Sequence, residues 1–181
     1  MTNIKVIIGS TREARFGDKA GTWIAEELKK QADTSVEVLD LRDYDMPFFN
    51  EAASALYKSK PFENEAVARF TLKIAEADAF VIVTPEYNHG TSAVLKNALD
   101  WVYQEWNNKP VAFVSYGSNG GARAVEQLRL NAIELHMAPI HDAIHINGEQ
   151  YFPVLFGQAN AGELFTSLTD KAGAMITQLL W

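Results

Sequence analysis

A seven-residue polar segment, residues 84–90, contains the side chains of this chain that are best suited to chemistry. It follows the apolar run 79–83, which has the composition of a buried strand, and it precedes a run with helical spacing. Open α/β sheets bind ligands where strands end, so the position favours a binding loop. The segment places carboxylate, phenol, amide and imidazole groups together, in the order Pro85, Glu86, Tyr87, Asn88 and His89.

Two other loops that contain glycine follow strand-like runs in the same way. Residues 9–17 offer hydroxyl and guanidinium groups, the donors that a phosphate requires, ahead of a helix whose positive dipole end would add to them. The spacing matches neither the Walker pattern nor the fingerprint G-x-G-x-x-G, and an ordinary solvated turn is the alternative. Residues 115–121 form the other loop. The side chains predicted to hold phosphate are Ser10, Thr11, Arg12 and Arg15.

Apolar runs of strand length alternate with segments of helical spacing, which is the pattern of a parallel sheet covered by helices on both faces. We predict strands at residues 4–8, 36–39, 79–83, 111–114 and 139–146. The predicted helices are 18–32, 63–77, 93–103 with Ser92 as N-cap, 122–137 and 164–180. Residues 41–62, with at most one helical turn, and residues 147–160 are predicted loops.

These elements predict one α/β domain, residues 1–181, a three-layer sandwich around a five-stranded parallel sheet. All the strand-end loops then share the carboxyl edge of the sheet. In the flavodoxin-like strand order 2-1-3-4-5, the first and third strands are neighbours, and their loops face each other across one crevice. The second and fifth strand-like runs have the composition of strands nearer the sheet edges.

The composition narrows the class of protein. A chain of 181 residues, 48% hydrophobic, is long enough for one core, and the absence of cysteine excludes disulfides and thiolate metal sites. Its histidines at positions 136, 141 and 145 are scattered, so we expect no metal site. A net charge of −7 argues against a general nucleic-acid binder. With no secretory or membrane-spanning pattern, we expect a cytoplasmic protein that binds neither nucleic acid nor membrane.

Together the three loops resemble those of the NADPH-dependent FMN reductase family, whose members are flavodoxin-like flavoproteins. The resemblance rests on residues 9–12 with 15–17, on residues 85–90 with 95–101, and on the glycine-rich residues 117–121. It implies bound FMN as cofactor and NADPH or NADH as co-substrate. It also implies a homodimer or homotetramer with the flavin near the subunit boundary.

The resemblance also implies which residues contact the flavin. The first loop would surround the FMN phosphate, the second would lie against the ring through its amides and the Asn88 side chain, and the third would lie beside the pyrimidine and ribityl side. Many relatives have a serine where this chain has Phe16-Gly17, which leaves the amide of Gly17 to compensate. The implied contacts are Ser10, Thr11, Arg12, Arg15, Phe16, Gly17, Pro85, Glu86, Tyr87, Asn88, His89, Ser115, Gly117, Gly120 and Gly121.

The implied activity is that of an oxidoreductase that passes hydride from NAD(P)H through bound FMN to a quinone, an azo compound, a metal oxyanion or free flavin. Because the flavin itself carries the hydride, we expect no catalytic side chain and no acid–base triad. Two alternatives stay open, namely a flavodoxin-like electron carrier and a flavin-binding regulatory module without turnover. The arginines of the first loop and the 85–90 motif favour the enzyme.

Several of these residues also have a structural interpretation. The Glu86 carboxylate is expected to fix its own loop or to pair with a partner chain, and His89 is expected to serve loop structure more than proton transfer. The aromatic residues Trp101, Tyr103 and Trp106 could form an aromatic wall or a dimer face, and their concentration near one helix end favours the interface.

Overall fold

Five parallel strands form the centre of the computed structural model, which describes residues 1–57 and 62–181. The strand order is β2-β1-β3-β4-β5, so the predicted order 2-1-3-4-5 and the flavodoxin-like fold class are confirmed. The predicted positions of the second and fifth strands at the edges are also correct. The strands are β1 (Thr2–Ile8), β2 (Thr34–Asp40), β3 (Ala79–Pro85), β4 (Pro110–Tyr116) and β5 (Ala138–Ile146).

Helices cover both faces of this sheet. Asn64 and Ser92 cap the second and third helices, each accepting a hydrogen bond from the backbone amide three residues later. No helix among residues 1–57 and 62–181 is long and apolar enough to cross a membrane. The helices are α1 (Gly17–Lys29), α2 (Glu65–Ala75), α3 (Ala93–Trp101), α4 (Ala122–Glu134), α5 (Gly148–Leu155), α6 (Ala161–Thr166) and α7 (Thr169–Leu180).

The core consists of two apolar layers, one on each face of the sheet. Alternate residues of each central strand enter opposite layers, and in β3 Val81 packs under α1 and α7 while Phe80 and Ile82 pack under α2, α3 and α4. Because β3 has no exposed residue, both of its faces favour apolar side chains, and residues 79–83 are all apolar. The rigid centre fixes where each strand ends, and therefore where each loop begins.

The predicted loop 147–160 is wrong, because it contains α5. Gly148 and Pro153 indicate a turn, yet Asn147 caps the helix in a capping box with Gln150, and the proline is accommodated within the short helix. The predicted helix 164–180 is also wrong as a single element, since α6 ends at Thr166 and α7 begins at Thr169. Between them the Ser167 hydroxyl donates to the Leu164 carbonyl at 2.6 Å and ends the first helix.

The predicted interface role of Trp101 and Trp106 is wrong. Trp106 is completely buried and its ring contacts Phe80, with centroids 4.7 Å apart. Trp101 is also buried, and its indole N–H donates to the Pro47 carbonyl at 2.7 Å. These side chains form the core beneath α3, and Trp101 also tethers the segment that follows β2. In that segment the structure has short 3-10 turns at Leu41–Asp43 and Ala55–Tyr57, while residues 58–61 lie outside the described part.

Candidate functional site

The three loops meet at the carboxyl edge of the sheet and enclose a cavity of about 110 Å³. A second, more open groove of about 350 Å³ adjoins it and shares Arg12 and Tyr87 with it. Every loop contributes to the cavity, and so does α5, which the sequence did not predict. The lining residues are Arg12, Ala14, Arg15, Phe16, Pro85, Glu86, Tyr87, Tyr116, Gly117, Tyr151 and Leu155.

The first loop is held tightly against β3 and α3. The Gly9 amide donates to the Val83 carbonyl at 2.8 Å, and the Ser92 hydroxyl donates to the Gly9 carbonyl. A Cβ at position 9 would lie 2.8 Å from Leu95 Cδ2, so only glycine allows this approach. The next residue, Ser10, is buried and its hydroxyl shares a hydrogen bond of 2.8 Å with the Tyr87 hydroxyl. The first and second loops are therefore directly linked.

Arg15 lines the cavity, but its donors are engaged by the protein itself. Its Nε donates to Asp18 at 2.7 Å, and its two terminal nitrogens donate to Asp18, to Asp40 and to the Ser10 carbonyl. Burial alone would lower the pKa of Arg15, but the hydrogen bonds to Asp40 and Asp18 outweigh it and raise the pKa. A guanidinium has five N–H donors, and all five are used here. In this structure Arg15 shapes the loop, and its contact with phosphate stays a prediction that would require some of these hydrogen bonds to be exchanged.

Arg12 is the available cation of the first loop. Its guanidinium is exposed, lies over the Tyr87 ring at 5.6 Å from the centroid, and makes no ion pair with any residue that the structure describes. The Arg42 side chain donates to the Arg12 carbonyl, a contact that holds the backbone and does not engage the guanidinium of Arg12. Arg12 thus carries an uncompensated positive charge at the border of the cavity and the groove.

The second loop turns sharply after Tyr87. The Tyr87 amide donates to the Gly90 carbonyl at 2.9 Å and the Gly90 amide donates back at 3.1 Å, while Asn88 and His89 have φ of 50° and 72°. Two consecutive left-handed residues are typical of a type I′ turn and are unusual without glycine. Helix α4 supports the turn, since the side-chain amide of Gln127 donates from Nε2 to the His89 carbonyl at 2.8 Å.

Glu86 joins the second loop to the third. Its amide donates to the Tyr116 carbonyl at 3.1 Å, and its carboxylate, 8% exposed, accepts from the amide and the Nε of Arg123 at 3.3 and 3.0 Å. A carboxylate at the beginning of α4 also interacts favourably with the helix dipole. The geometry matches the structural interpretation of Glu86. The His89 ring likewise faces Arg123, with its Nδ1 accepting at 3.1 Å, and neither Asn88 nor His89 is among the described residues that line the cavity.

In the third loop, Ser115 supports the backbone from beneath. Its hydroxyl donates to the Gly120 carbonyl at 2.6 Å and lies 2.7 Å from His145 Nδ1. Since the hydroxyl has one proton and gives it to Gly120, His145 must donate to Ser115. Burial lowers the pKa of His145. The hydroxyl of Ser115 is fully buried among these groups and does not line the cavity, so its side chain supports the third loop, and its contact with the flavin stays a prediction.

The glycines of the third loop are there for close packing and for left-handed backbone. Gly121 has φ of 72°, and a Cβ there would lie 2.7 Å from Ser115 Cβ. Gly120 has φ of 69°, and a Cβ there would lie 3.0 Å from His145 Cβ. Of these three glycines, only Gly117 lines the cavity. Gly120 and Gly121 therefore shape the loop, while Gly117 lets the backbone approach a ligand.

The sequence did not predict several residues of the site, among them Asp40, Tyr116 and Tyr151. Asp40 ends β2 and was not connected with Arg15, whereas Tyr151 lies in the wrongly predicted loop. Tyr116 lies in the predicted third loop but was not among the predicted contacts; it ends β4, and its ring lines the cavity. The only signal in the sequence was its position directly before Gly117.

A protein-family model described as NADPH-dependent FMN reductase matches residues 2–150. The chain belongs to the NADPH-dependent FMN reductase family. This membership confirms the predicted enzyme class, an oxidoreductase, and the predicted use of FMN with NAD(P)H.

Similar proteins support the same family. A protein of Schizosaccharomyces pombe named NAD(P)H-dependent FMN reductase is 38% identical over 143 residues, which are 78% of this chain and 72% of that protein. A quinone reductase of Pseudomonas putida is 32% identical over 142 residues, 75% of this chain and 72% of its own. The solved structure of a flavoenzyme NAD(P)H:(acceptor) oxidoreductase from Paracoccus denitrificans has a TM-score of 0.72 at 24% identity, covering 99% and 98% of the two chains, and shows the same fold.

The residues around the cavity of this FMN reductase family member fit an FMN molecule. A phosphate requires donors that the protein leaves free, and Arg12 has no ion pair among the described residues while α1 has no side-chain cap at its first turn. The buried Tyr116 hydroxyl also has no hydrogen-bond partner among them. A flat ring requires close approach of backbone, which Gly117 permits. The donor set and the glycine at the cavity wall therefore agree with the family.

Proposed function

We propose that this protein catalyses FMN-dependent transfer of hydride from NADPH or NADH to a small-molecule acceptor. When FMN is bound, its ring supplies the hydride chemistry, so the protein needs to bind, orient and polarise it. The observation that supports the proposal best is the guanidinium of Arg12, which makes no ion pair with any described residue and lies beside a helix N-terminus, that of α1, without a side-chain cap. A protein with net charge −7 has little reason to leave such a cation unpaired unless an anion binds there.

We assign the residues to roles by what their donors do in the structure. The contacts proposed for FMN are Ser10, Thr11, Arg12, Phe16, Gly17, Pro85, Glu86, Tyr87, Asn88, His89 and Gly117. In this proposal the backbone amides of the second loop face the ring, because the side chains of Glu86 and His89 are engaged by Arg123. The residues that support the loops are Arg15, Ser115, Gly120 and Gly121.

The groove beside the cavity is the proposed site for the nicotinamide and then for the acceptor. Its volume of about 350 Å³ lies within the range of small-molecule pockets, whereas the cavity of about 110 Å³ is smaller. Apolar side chains of Met46, Phe48 and Val94 line it opposite Tyr87 and Arg12. An apolar wall facing a cation favours flat, weakly polar acceptors that gain negative charge on reduction, such as quinones, over metal oxyanions.

Anaerobic mixing of the flavin-loaded protein with NADPH tests the proposed reaction. Loss of the flavin absorbance band, followed by its return when a quinone is added, is the expected result. A band that NADPH and NADH both leave unchanged would contradict the proposal. Steady-state rates with a quinone, an azo dye and chromate then rank the acceptor classes.

A substitution in the groove tests the proposed acceptor site. Phe48→Ala should raise KM for a quinone while leaving FMN affinity unchanged, because this exposed side chain lines the groove but not the cavity. Phe156→Ala is the matched control, since that phenylalanine is also exposed but lines neither space. Equal effects of the two substitutions would argue against the groove.

We further propose that the chain acts as one cytoplasmic domain and assembles as a homodimer or homotetramer. Leu130 and Ile133 support assembly, because these two large apolar side chains lie exposed on α4, the helix that holds the second loop. Light scattering of the purified protein measures its mass directly, and a monomer at micromolar concentration would contradict this part of the proposal.

A further inference from the structure

The Tyr116 hydroxyl is buried, and its oxygen makes no hydrogen bond with any residue that the structure describes. The residue ends β4 and is 5% exposed. Folded proteins pair nearly all of their buried polar atoms, because an unpaired one loses its water without compensation. Each exception therefore requires an explanation, and a bound ligand is one.

The ring of Tyr116 is held so that this oxygen cannot turn away. Phe16 packs edge-on against it with centroids 5.1 Å apart, and Tyr151 contacts it at 5.8 Å. The hydroxyl lies on the axis of the ring, so a ring flip does not move it. A Cβ on Gly17 would lie 2.9 Å from the Tyr116 oxygen, and the glycine at that position is what allows the hydroxyl to lie against the first turn of α1.

The surroundings of the hydroxyl are suited to an anion. The Ser10 side chain and the Gly17 amide approach the Tyr116 oxygen, but neither completes a hydrogen bond of normal geometry to it, and α1 begins there without a side-chain cap. Burial raises the pKa of Tyr116, so the group stays protonated and acts as a donor. Arg12 lines the same cavity. A helix N-terminus, a buried O–H donor and an unpaired guanidinium together form the donor set of a phosphate site.

We propose that the Tyr116 hydroxyl donates a hydrogen bond to the phosphate group of bound FMN. The proposal rests on the proposed function, because it takes FMN as the ligand of the cavity. It adds a donor from β4 to a phosphate site that otherwise consists of the loop after β1. It also gives the Phe16-Gly17 pair a specific role, in which Gly17 makes room for a hydroxyl that a serine at the helix start would otherwise supply.

Titration of the FMN-free protein with FMN and with riboflavin tests this assignment. Riboflavin has the same ring and ribityl chain but lacks the phosphate. Tyr116→Phe should weaken FMN binding about tenfold, as expected for one hydrogen bond to a charged group, and should leave riboflavin binding unchanged. Tyr44→Phe is the matched control, because that tyrosine is also buried but packs against Phe70 on the other face of the sheet.

Each outcome decides between defined alternatives. Unchanged FMN affinity in Tyr116→Phe overturns the proposal, and so does an equal loss for FMN and riboflavin, which would place the contact on the ribityl chain or the ring. If the unmodified protein binds no FMN, the proposed function fails together with this inference. NMR of protein labelled with ¹³C at tyrosine Cζ is a second measurement that needs no variant. The Tyr116 signal should shift with FMN and not with riboflavin, and equal shifts would overturn the assignment.

Discussion

The ion pair between Arg15 and Asp40 should determine both the stability of the first loop and its dependence on pH. Arg15 has a side chain that is 1% exposed and uses all of its donors, of which two bind Asp40. The replacement Asp40→Asn removes the charge but keeps the size of the side chain. The single side-chain oxygen of the new asparagine would then face two donors of Arg15, and its NH₂ group, itself a donor, would face the guanidinium without an acceptor between them.

The expected loss of stability can be worked out from the burial of the two partners. Breaking a fully buried pair costs about 3–5 kcal/mol. Asp40 is 25% exposed and Asp18 still neutralises part of the charge, so we expect about 2–3 kcal/mol. For a chain of this length that corresponds to a Tm lower by about 4–12 °C. The matched control is Asp100→Asn, which breaks an exposed pair with Lys96 and should cost less than about 0.5 kcal/mol.

The effect should disappear in acid. Desolvation would raise the pKa of Asp40, but the hydrogen bonds from Arg15 and from the Arg42 amide lower it below its ordinary value. A lowered pKa in the folded state means that the pair stabilises the protein above the unfolded pKa, and that this stability is lost as pH falls through the folded pKa. The free energy of unfolding should therefore differ between the protein and Asp40→Asn at pH 7, and the difference should shrink below pH 4.

Urea unfolding at pH 7 and in acid measures both quantities. A difference that stays constant across this range would refute the reasoning, because it would show that the substitution acts through packing or loop strain and not through the charge of Asp40. A loss at pH 7 no larger than that of Asp100→Asn would refute it as well.

Three further changes follow from the geometry of the loops. Arg12→Ala should weaken FMN binding about 10- to 100-fold, the loss of a charge-assisted contact, with Tm unchanged, and an unaltered affinity in fluorescence titration would contradict the phosphate role. Gly121→Ala should destabilise the fold by about 2 kcal/mol or more in thermal unfolding, since φ is 72° and the new Cβ would lie 2.7 Å from Ser115 Cβ; a neutral result would mean that the loop relaxes freely. Glu86→Gln should weaken FMN binding without abolishing NADPH oxidation, because the carboxylate holds Arg123 and does not react; complete loss of turnover in the flavin-saturated variant would instead assign it a catalytic role.

The sheet and the position of the loops were predictable from the sequence. Strands buried on both faces are mostly apolar, and β1, β3 and β4 show this in their runs of aliphatic and aromatic residues, with Lys5, Thr84 and Ser115 as buried polar exceptions. The conversion of residues 147–160 into α5 was not predictable from local pattern, because Gly148 and Pro153 favour a turn and the helix is only stabilised by its cap and by packing of Val154 on the core. The burial of Trp106 could not be predicted either, since an aromatic cluster has the same composition in a core and at an interface.

The sequence by itself determined which donors surround the site, and the tertiary structure decided which of them are free. From the sequence alone, Arg12 and Arg15 are equally good candidates for binding phosphate, since both are arginines of the same loop. The parallel pairing of β1 and β2 sets Ile8 beside Asp40. This places the Asp40 carboxylate at the carboxyl edge of the sheet, within hydrogen-bond distance of the Arg15 guanidinium. Asp40, Asp18 and the Ser10 carbonyl accept all the donors of Arg15, whereas no described carboxylate pairs with Arg12. A guanidinium has five donors, and only the folded structure determines how many of them other groups of the protein bind.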